Sequence, residues 1–257
     1  MNKYIKDICW VFLGFYLYAI LFSVVDSGKK NLIDTLNLLG PFISSGGAIA
    51  AILAVIQIAH HRTLDKQYNS SLLLINTIRS YLKHAKNCLV ADNLKPKNNR
   101  SEWIRAAKLI ISCGELESKI RKTAHLYGLP ELVIQLDSLL DEYRFILCRA
   151  ICIREGNRIS SLPASFFCGV DDWENKSFDD AKNEANSRNF YCSDYNPKEV
   201  TPPFGSTELE ERSVFVVAYF MLGKIFNKPF DTIVKSQYSD IPDFFQYEGM
   251  AIYLRNS

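Results

Sequence analysis

Two stretches near the start of the chain carry no charged side chain, while most of the remaining sequence alternates apolar and polar positions at the helical period. Residues 8–25 (ICWVFLGFYLYAILFSVV) are eighteen uncharged positions after Lys3 and Lys6, and residues 35–59 are twenty-five more. At 1.5 Å per residue these predict about 27 and 37 Å of helix, against a hydrocarbon core of about 30 Å. A signal peptide is the rival for the first run, but six aromatics make it bulky, and Asp26-Ser27-Gly28-Lys29-Lys30 is a poor cleavage site. The pattern predicts a transmembrane hairpin over residues 1–60, with spans at about 8–25 and 36–59 and a short connecting loop.

Beyond the hairpin, residues 61–257 predict a cytosolic α-helical bundle. Apolar positions recur at Leu64, Tyr68, Leu72, Ile75, Ile78, Leu82, Ala85 and Leu89, so this helix continues from the second span until Pro96 and three Asn break it. Ser101 is read as the cap of a second helix with Trp103, Ala107, Ile110, Cys113, Leu116 and Ile120 on one face. Gly128-Leu129-Pro130 turns the chain into a third, with Leu132, Leu136, Leu139, Tyr143, Ile146, Ala150 and Ile153. Residues 156–205 lose the period and read as an irregular acidic insertion with aromatic islands at Phe166-Phe167, Trp173 and Phe190-Tyr191. Thr207-Glu208-Leu209-Glu210 has the spacing of a capping box opening a buried helix over 214–222, and the aromatic tail packs on the same core. The fold class is mainly α.

Lys and Arg flank the outer ends of both spans (Lys3, Lys6, Arg62, Lys66, Arg79), against Lys29 and Lys30 in the loop. This places both termini in the cytoplasm of a two-span protein of the bacterial inner membrane. Trp10 suits the interfacial belt, and His60, His61 and Arg62 meet the headgroups where the second span ends. Neighbouring helical residues point about 100° apart, so anchoring is the reading for the two histidines rather than metal binding. Small residues repeat every four positions in the second span: Gly40, Ser44 and Ala48; Gly46, Ala50 and Ala54; Gly47 and Ala51. Such stripes let helices approach closely in lipid, against the first span or against a second copy of the chain. With no charge inside either run, a pump or transporter is not expected.

Charge is uneven along the chain. Residues 60–160 hold seventeen basic and ten acidic residues, an excess of +7, and residues 161–211 hold four and eleven, or −7. The seven cysteines (9, 88, 113, 148, 152, 168, 192) form no C-x-x-C pair and read as reduced thiols. No phosphate loop, G-x-G-x-x-G, H-E-x-x-H or G-x-S-x-G is present, so the chain is not expected to be an enzyme, nor to hold a cofactor or metal. Lys95, Lys97, Arg100, Arg105 and Lys108 cluster around one turn and form the candidate contact for a nucleic-acid-bearing partner. Anionic lipid attracts the same charges, and an ordinary solvated helix face balanced by the acidic insertion contains them equally well.

The layout of a tight hairpin, the HHRTLDKQYNSSLLL exit helix and the SEWIRAAKLI helix with its partner resembles the two-transmembrane effector proteins of bacterial retron anti-phage systems. The likeness runs over the whole chain in layout, through loose motifs. It implies an effector of abortive infection, kept silent by a reverse transcriptase and its RNA–DNA hybrid. Phage interference with the host's recombination nuclease complex then releases it to compromise the inner membrane. It supplies no catalytic residues. The competing expectations are a membrane-anchored adaptor or signalling protein, and an enzyme whose polar residues converge around the acidic insertion.

Overall fold

The computed structural model describes residues 14, 17–18, 32–155, 158–190, 207–240 and 248–256. For residues 32–46, 48–49, 153–155, 158–160, 188–190 and 239–240 only the backbone is described. The chain divides into two compact units, Met1–Lys66 and Gln67–Ser257, each treated by itself. The protein is mainly helical, as its periodicity predicts.

Helix α1, Leu32–Leu89, contains all of the uncharged run 35–59 and ends near the predicted break. The first span, Trp10 and the connecting loop lie outside the described residues, apart from positions 14, 17 and 18, which are helical. Of the packing residues, Gly40, Ser44, Gly46 and Ala48 lie outside the described side chains, whereas Gly47, Ala50, Ala51 and Ala54 are exposed.

In the second unit α1 buries one stripe, Ile75, Ile78, Leu82, Ala85 and Leu89, spaced three and four residues apart. The segment after it is a hydrogen-bonded turn: Leu94 sits at φ 60°, and Lys97 N–H returns to the Leu89 carbonyl at 2.9 Å. Helix α2, Arg100–Tyr127, starts two residues earlier than the Ser101 cap implies. Asn99 is the cap, its side chain accepting from Glu102 N–H at 3.2 Å, while the Ser101 hydroxyl supports it by donating to the Asn99 Oδ1 at 2.7 Å. Gly128 closes α2 at φ 66°, a left-handed conformation that glycine adopts without a Cβ clash.

Pro130 opens α3, Pro130–Ile151, where its missing N–H costs nothing. The buried stripe of α3 ends on Leu147 and Ile151 rather than on Ile146, Ala150 and Ile153. From Tyr143 two successive steps of four keep the face inward, and the helix stops before Ile153, which belongs to strand β1.

The predicted irregular insertion is ordered through much of its length. Strands β1, Cys152–Glu155, and β2, Arg158–Ser161, form an antiparallel pair with Cys152 opposite Ser161. The one-turn helix α4, Ala164–Phe167, carries Phe166 and Phe167 into the main core with no exposed surface. After a 3₁₀ turn at Trp173–Asn175 comes α5, Phe178–Phe190, started by Ser177, whose hydroxyl accepts from Asp180 N–H at 3.2 Å. The acidic pair Asp179-Asp180 thus belongs to the first turn of a helix, where its charge suits the dipole. These pieces are too short for an apolar period to show in sequence, so aromatic content was their only signal.

Helix α6, Glu211–Met221, is the buried centre of the unit: it packs most extensively on α2 and also meets α3 and α7, Glu248–Asn256. The predicted capping box does not form. The Thr207 hydroxyl donates to the Cys168 carbonyl at 3.4 Å, and Glu210 is the N-cap without a side-chain cap bond. The tail helix α7 buries Met250, Ala251, Tyr253 and Leu254, as its aromatic content predicts. Trp103 joins these layers, edge-on to Phe166 at 6.2 Å and Phe167 at 5.8 Å, with its indole N–H donating to the Lys97 carbonyl at 2.5 Å.

Candidate functional site

Three features of the described residues carry functional information: an apolar helical stretch, a basic surface and a charged cleft.

The stretch lies in the first unit. From residue 50 to residue 62 every side chain of α1 is exposed except the partly covered Leu53. Ile52, Val55, Ile56 and Ile58 are 60, 66, 51 and 51 % exposed. At 100° per residue these four span an arc of about 160°, and the run around them carries no charge on any face. Among the described residues no helix is long and apolar enough to cross a membrane; the described side chains of the uncharged run cover only Gly47 and residues 50–59. At the polar end, His60 and His61 have ring centroids 6.4 Å apart and tilted by 58°. Thr63 returns its hydroxyl to the Ala59 carbonyl at 2.9 Å, which lets a polar residue follow the apolar run without breaking the helix.

The five basic residues around the start of α2 separate into two groups. Lys95, Arg105 and Lys108 are exposed, the last with its ammonium 5.6 Å from the Phe230 ring centroid. Lys97 and Arg100 are half-buried and engaged within the protein. Lys97 donates to the Asn87 carbonyl at 2.8 Å and lies 3.5 Å from Glu102. Arg100 donates through one Nη to the Glu208 carbonyl at 2.7 Å and through the other to Glu210 Oε2 at 2.6 Å. A surface partner therefore meets three of the five charges, and the other two hold the fold.

Arg100 leads to the third feature, which sequence reasoning missed. A cleft of about 470 Å³ is bounded by the start of α2, the extended entry to α6, the loop after α6, α5 and α7. Arg100, Lys182, Arg212 and Lys235 bring positive charge to it, and Glu208, Glu210 and Glu211 negative charge. Arg100–Glu210 is a close ion pair, whereas Arg212 Nε stands 4.0 Å from Glu210 Oε1. Lys182 donates to the Asn256 carbonyl and lies over the Phe178 ring at 5.6 Å. Arg100 Nε and Glu208 Oε1 are buried without a hydrogen-bond partner among the described residues. The signal was present in Glu208-Leu209-Glu210: alternation of period two describes an extended segment, with Leu209 on one side and both carboxylates on the other. Leu209 is indeed buried, its N–H donating to the Phe167 carbonyl at 2.9 Å and its carbonyl accepting from the Tyr253 hydroxyl.

Burial pushes the Glu208 carboxyl above its ordinary value of 4.5, with Lys182 and Arg100 pulling it partly back. A carboxyl raised by folding stabilises the protein below its unfolded value and loses that contribution as pH rises through the folded one. Glu208→Gln should therefore raise the melting temperature at pH 8 by about 2–4 °C. The gain should shrink toward pH 4, and a gain that grows on acidification would contradict the assignment of burial as the dominant cause.

No family model, curated protein or solved structure matches this chain.

Proposed function

We propose that this protein is a membrane effector of a retron-type anti-phage system: a two-span chain of the bacterial inner membrane with both termini in the cytoplasm. A reverse transcriptase carrying its RNA–DNA hybrid holds the helical unit silent. Phage interference with the host's recombination nuclease releases it, and the inner membrane is compromised. The single observation behind this reading is the stretch of α1 from residue 50 to residue 59, which carries no charge and exposes Ile52, Val55, Ile56 and Ile58. At about 25 cal/mol per Å² of apolar surface, leaving such side chains in water is unfavourable, and lipid or another copy of the chain removes them from it. The exposed Lys95, Arg105 and Lys108 suit the phosphates of a hybrid-bearing partner.

Inducing the chain alone in bacteria, with single-cell membrane potential followed by a voltage-sensitive dye, tests this directly. Depolarisation ahead of growth arrest is expected. Polarised, growing cells with the protein confirmed in the membrane fraction would reject autonomous permeabilisation. Gly47→Leu addresses assembly, because a Cβ built on Gly47 meets no described atom within 4 Å. Loss of killing with insertion intact then reports contact between copies.

A second reading, an anchored adaptor, is favoured by the compactness of Gln67–Ser257, which has its own extensive core. It predicts that an unrelated two-span anchor in place of residues 1–59 preserves function; the effector reading predicts that it does not.

A further inference from the structure

We propose that the Arg100–Glu208 cleft binds a nucleoside phosphate, with the phosphate at the basic rim and the base against the Tyr238 side. Its volume of about 470 Å³ falls within the range of about 300–1,000 Å³ typical of small-molecule sites. Three properties define the occupant.

The first is charge. Lys235 is exposed and makes no ion pair among the described residues, and Arg212 is only loosely engaged with Glu210. Both stand at the opening turn of α6 or in the loop facing it. The N-cap Glu210 leaves that helix end without a side-chain cap, so its dipole adds to the attraction for an anion. A phosphate also matches the planar fork of Arg100, for which it would compete with Glu210.

The second is hydrogen bonding. The two buried atoms without partners among the described residues are complementary in kind: Arg100 Nε is a donor and Glu208 Oε1 an acceptor. Leaving either unpaired is unfavourable. A ligand that brings one acceptor and one donor, as the edge of a nucleobase or a phosphate and ribose hydroxyl do, offers partners for both once the side chains adjust.

The third is a flat apolar wall. Tyr238 lines the cleft and is held against Phe215 at 4.6 Å between ring centroids, and Ile233 and Val234 line it from the same loop. Ring stacking accepts any base, because every base has a π-face. An amino acid would leave much of this volume empty, and inorganic phosphate would use only the rim.

The same chemistry arrives from two sources, a free mononucleotide or the phosphorylated end of a nucleic-acid strand. The site is independent of the membrane-effector reading, since nothing in it involves residues 1–66. Calorimetric titration of the full chain in detergent should use inorganic phosphate, the four ribonucleoside 5′-monophosphates, and DNA and RNA pentamers with either a 5′-phosphate or a 5′-hydroxyl. At least one monophosphate, or a 5′-phosphorylated pentamer, should bind about tenfold or more tightly than inorganic phosphate. Preference for the monophosphate identifies a free ligand, and preference for the phosphorylated pentamer over its hydroxyl twin identifies a strand end. Lys235→Glu, an exposed position that leaves the core intact, should weaken either by about tenfold or more. Absence of binding, inorganic phosphate binding as tightly as every nucleotide, or affinity unchanged by Lys235→Glu would overturn the proposal.

Discussion

Replacing Trp103 by Ala should lower the melting temperature of the full-length protein in detergent by about 10 °C or more, the expected consequence of losing about 3–5 kcal/mol from a fully buried aromatic. The magnitude comes from what the ring touches. Trp103 has no exposed surface, meets Phe166 and Phe167 edge-on, and closes the turn after α1 through its bond to the Lys97 carbonyl. Truncation removes the ring, opens a cavity between α2 and α4, and leaves that carbonyl without its indole donor. Trp103→Phe separates these effects, because it keeps most of the volume and loses the hydrogen bond, for which about 1 kcal/mol is expected. If Trp103→Ala melts within a degree or two of the parent, α4 is not a structural part of the unit and the ordering of the acidic region has another cause.

The second large effect concerns location. Gly47→Lys combined with Ala51→Lys places two ammonium groups near the middle of the second predicted span, at about 2.5–3.5 kcal/mol each for a helix centre in lipid. The double variant should keep the second span out of the bilayer, carrying residues 61–257 across with the loop so that protease added to spheroplasts digests them, and lose any killing activity. His61→Lys, at the polar end of the same helix, should change neither. Both Gly47 and Ala51 are exposed in α1, so the substitutions do not disturb described packing. Protection of residues 61–257 from that protease at parental levels would mean that this stretch does not lie in hydrocarbon.

The long elements were legible because each repeats its apolar period several times: the stripe from Ile75 to Leu89 and the faces of α2 and α3 derive directly from spacing. Helix ends were less so. Asn99, Ser101 and Thr207 are all acceptable caps; Asn99 takes its helix through the local Glu102 N–H, whereas Thr207 is drawn to the distant Cys168 carbonyl. The region around Phe166 was opaque for a different reason. A one-turn helix has no period to read, and its place in the core depends on Trp103, sixty-three positions earlier in the chain. The cleft was hidden because its charged residues come from four separate segments, and because Arg100 reads in sequence as one more member of a basic surface, with nothing to place Glu210 beside it.

The order in which these parts are synthesised matters for the cell that makes them. Tyr253 packs on Phe167 at 5.6 Å and bonds the Leu209 carbonyl, so the core closes only after α7 has been made. At about 5–20 residues per second, the ribosome needs roughly 10–40 s to travel the 194 residues from Ala59 to Tyr253. The apolar stretch of α1 therefore emerges long before the unit meant to accompany it can fold. On the membrane-effector proposal, delivery to the bilayer then precedes completion of the globular part rather than following it.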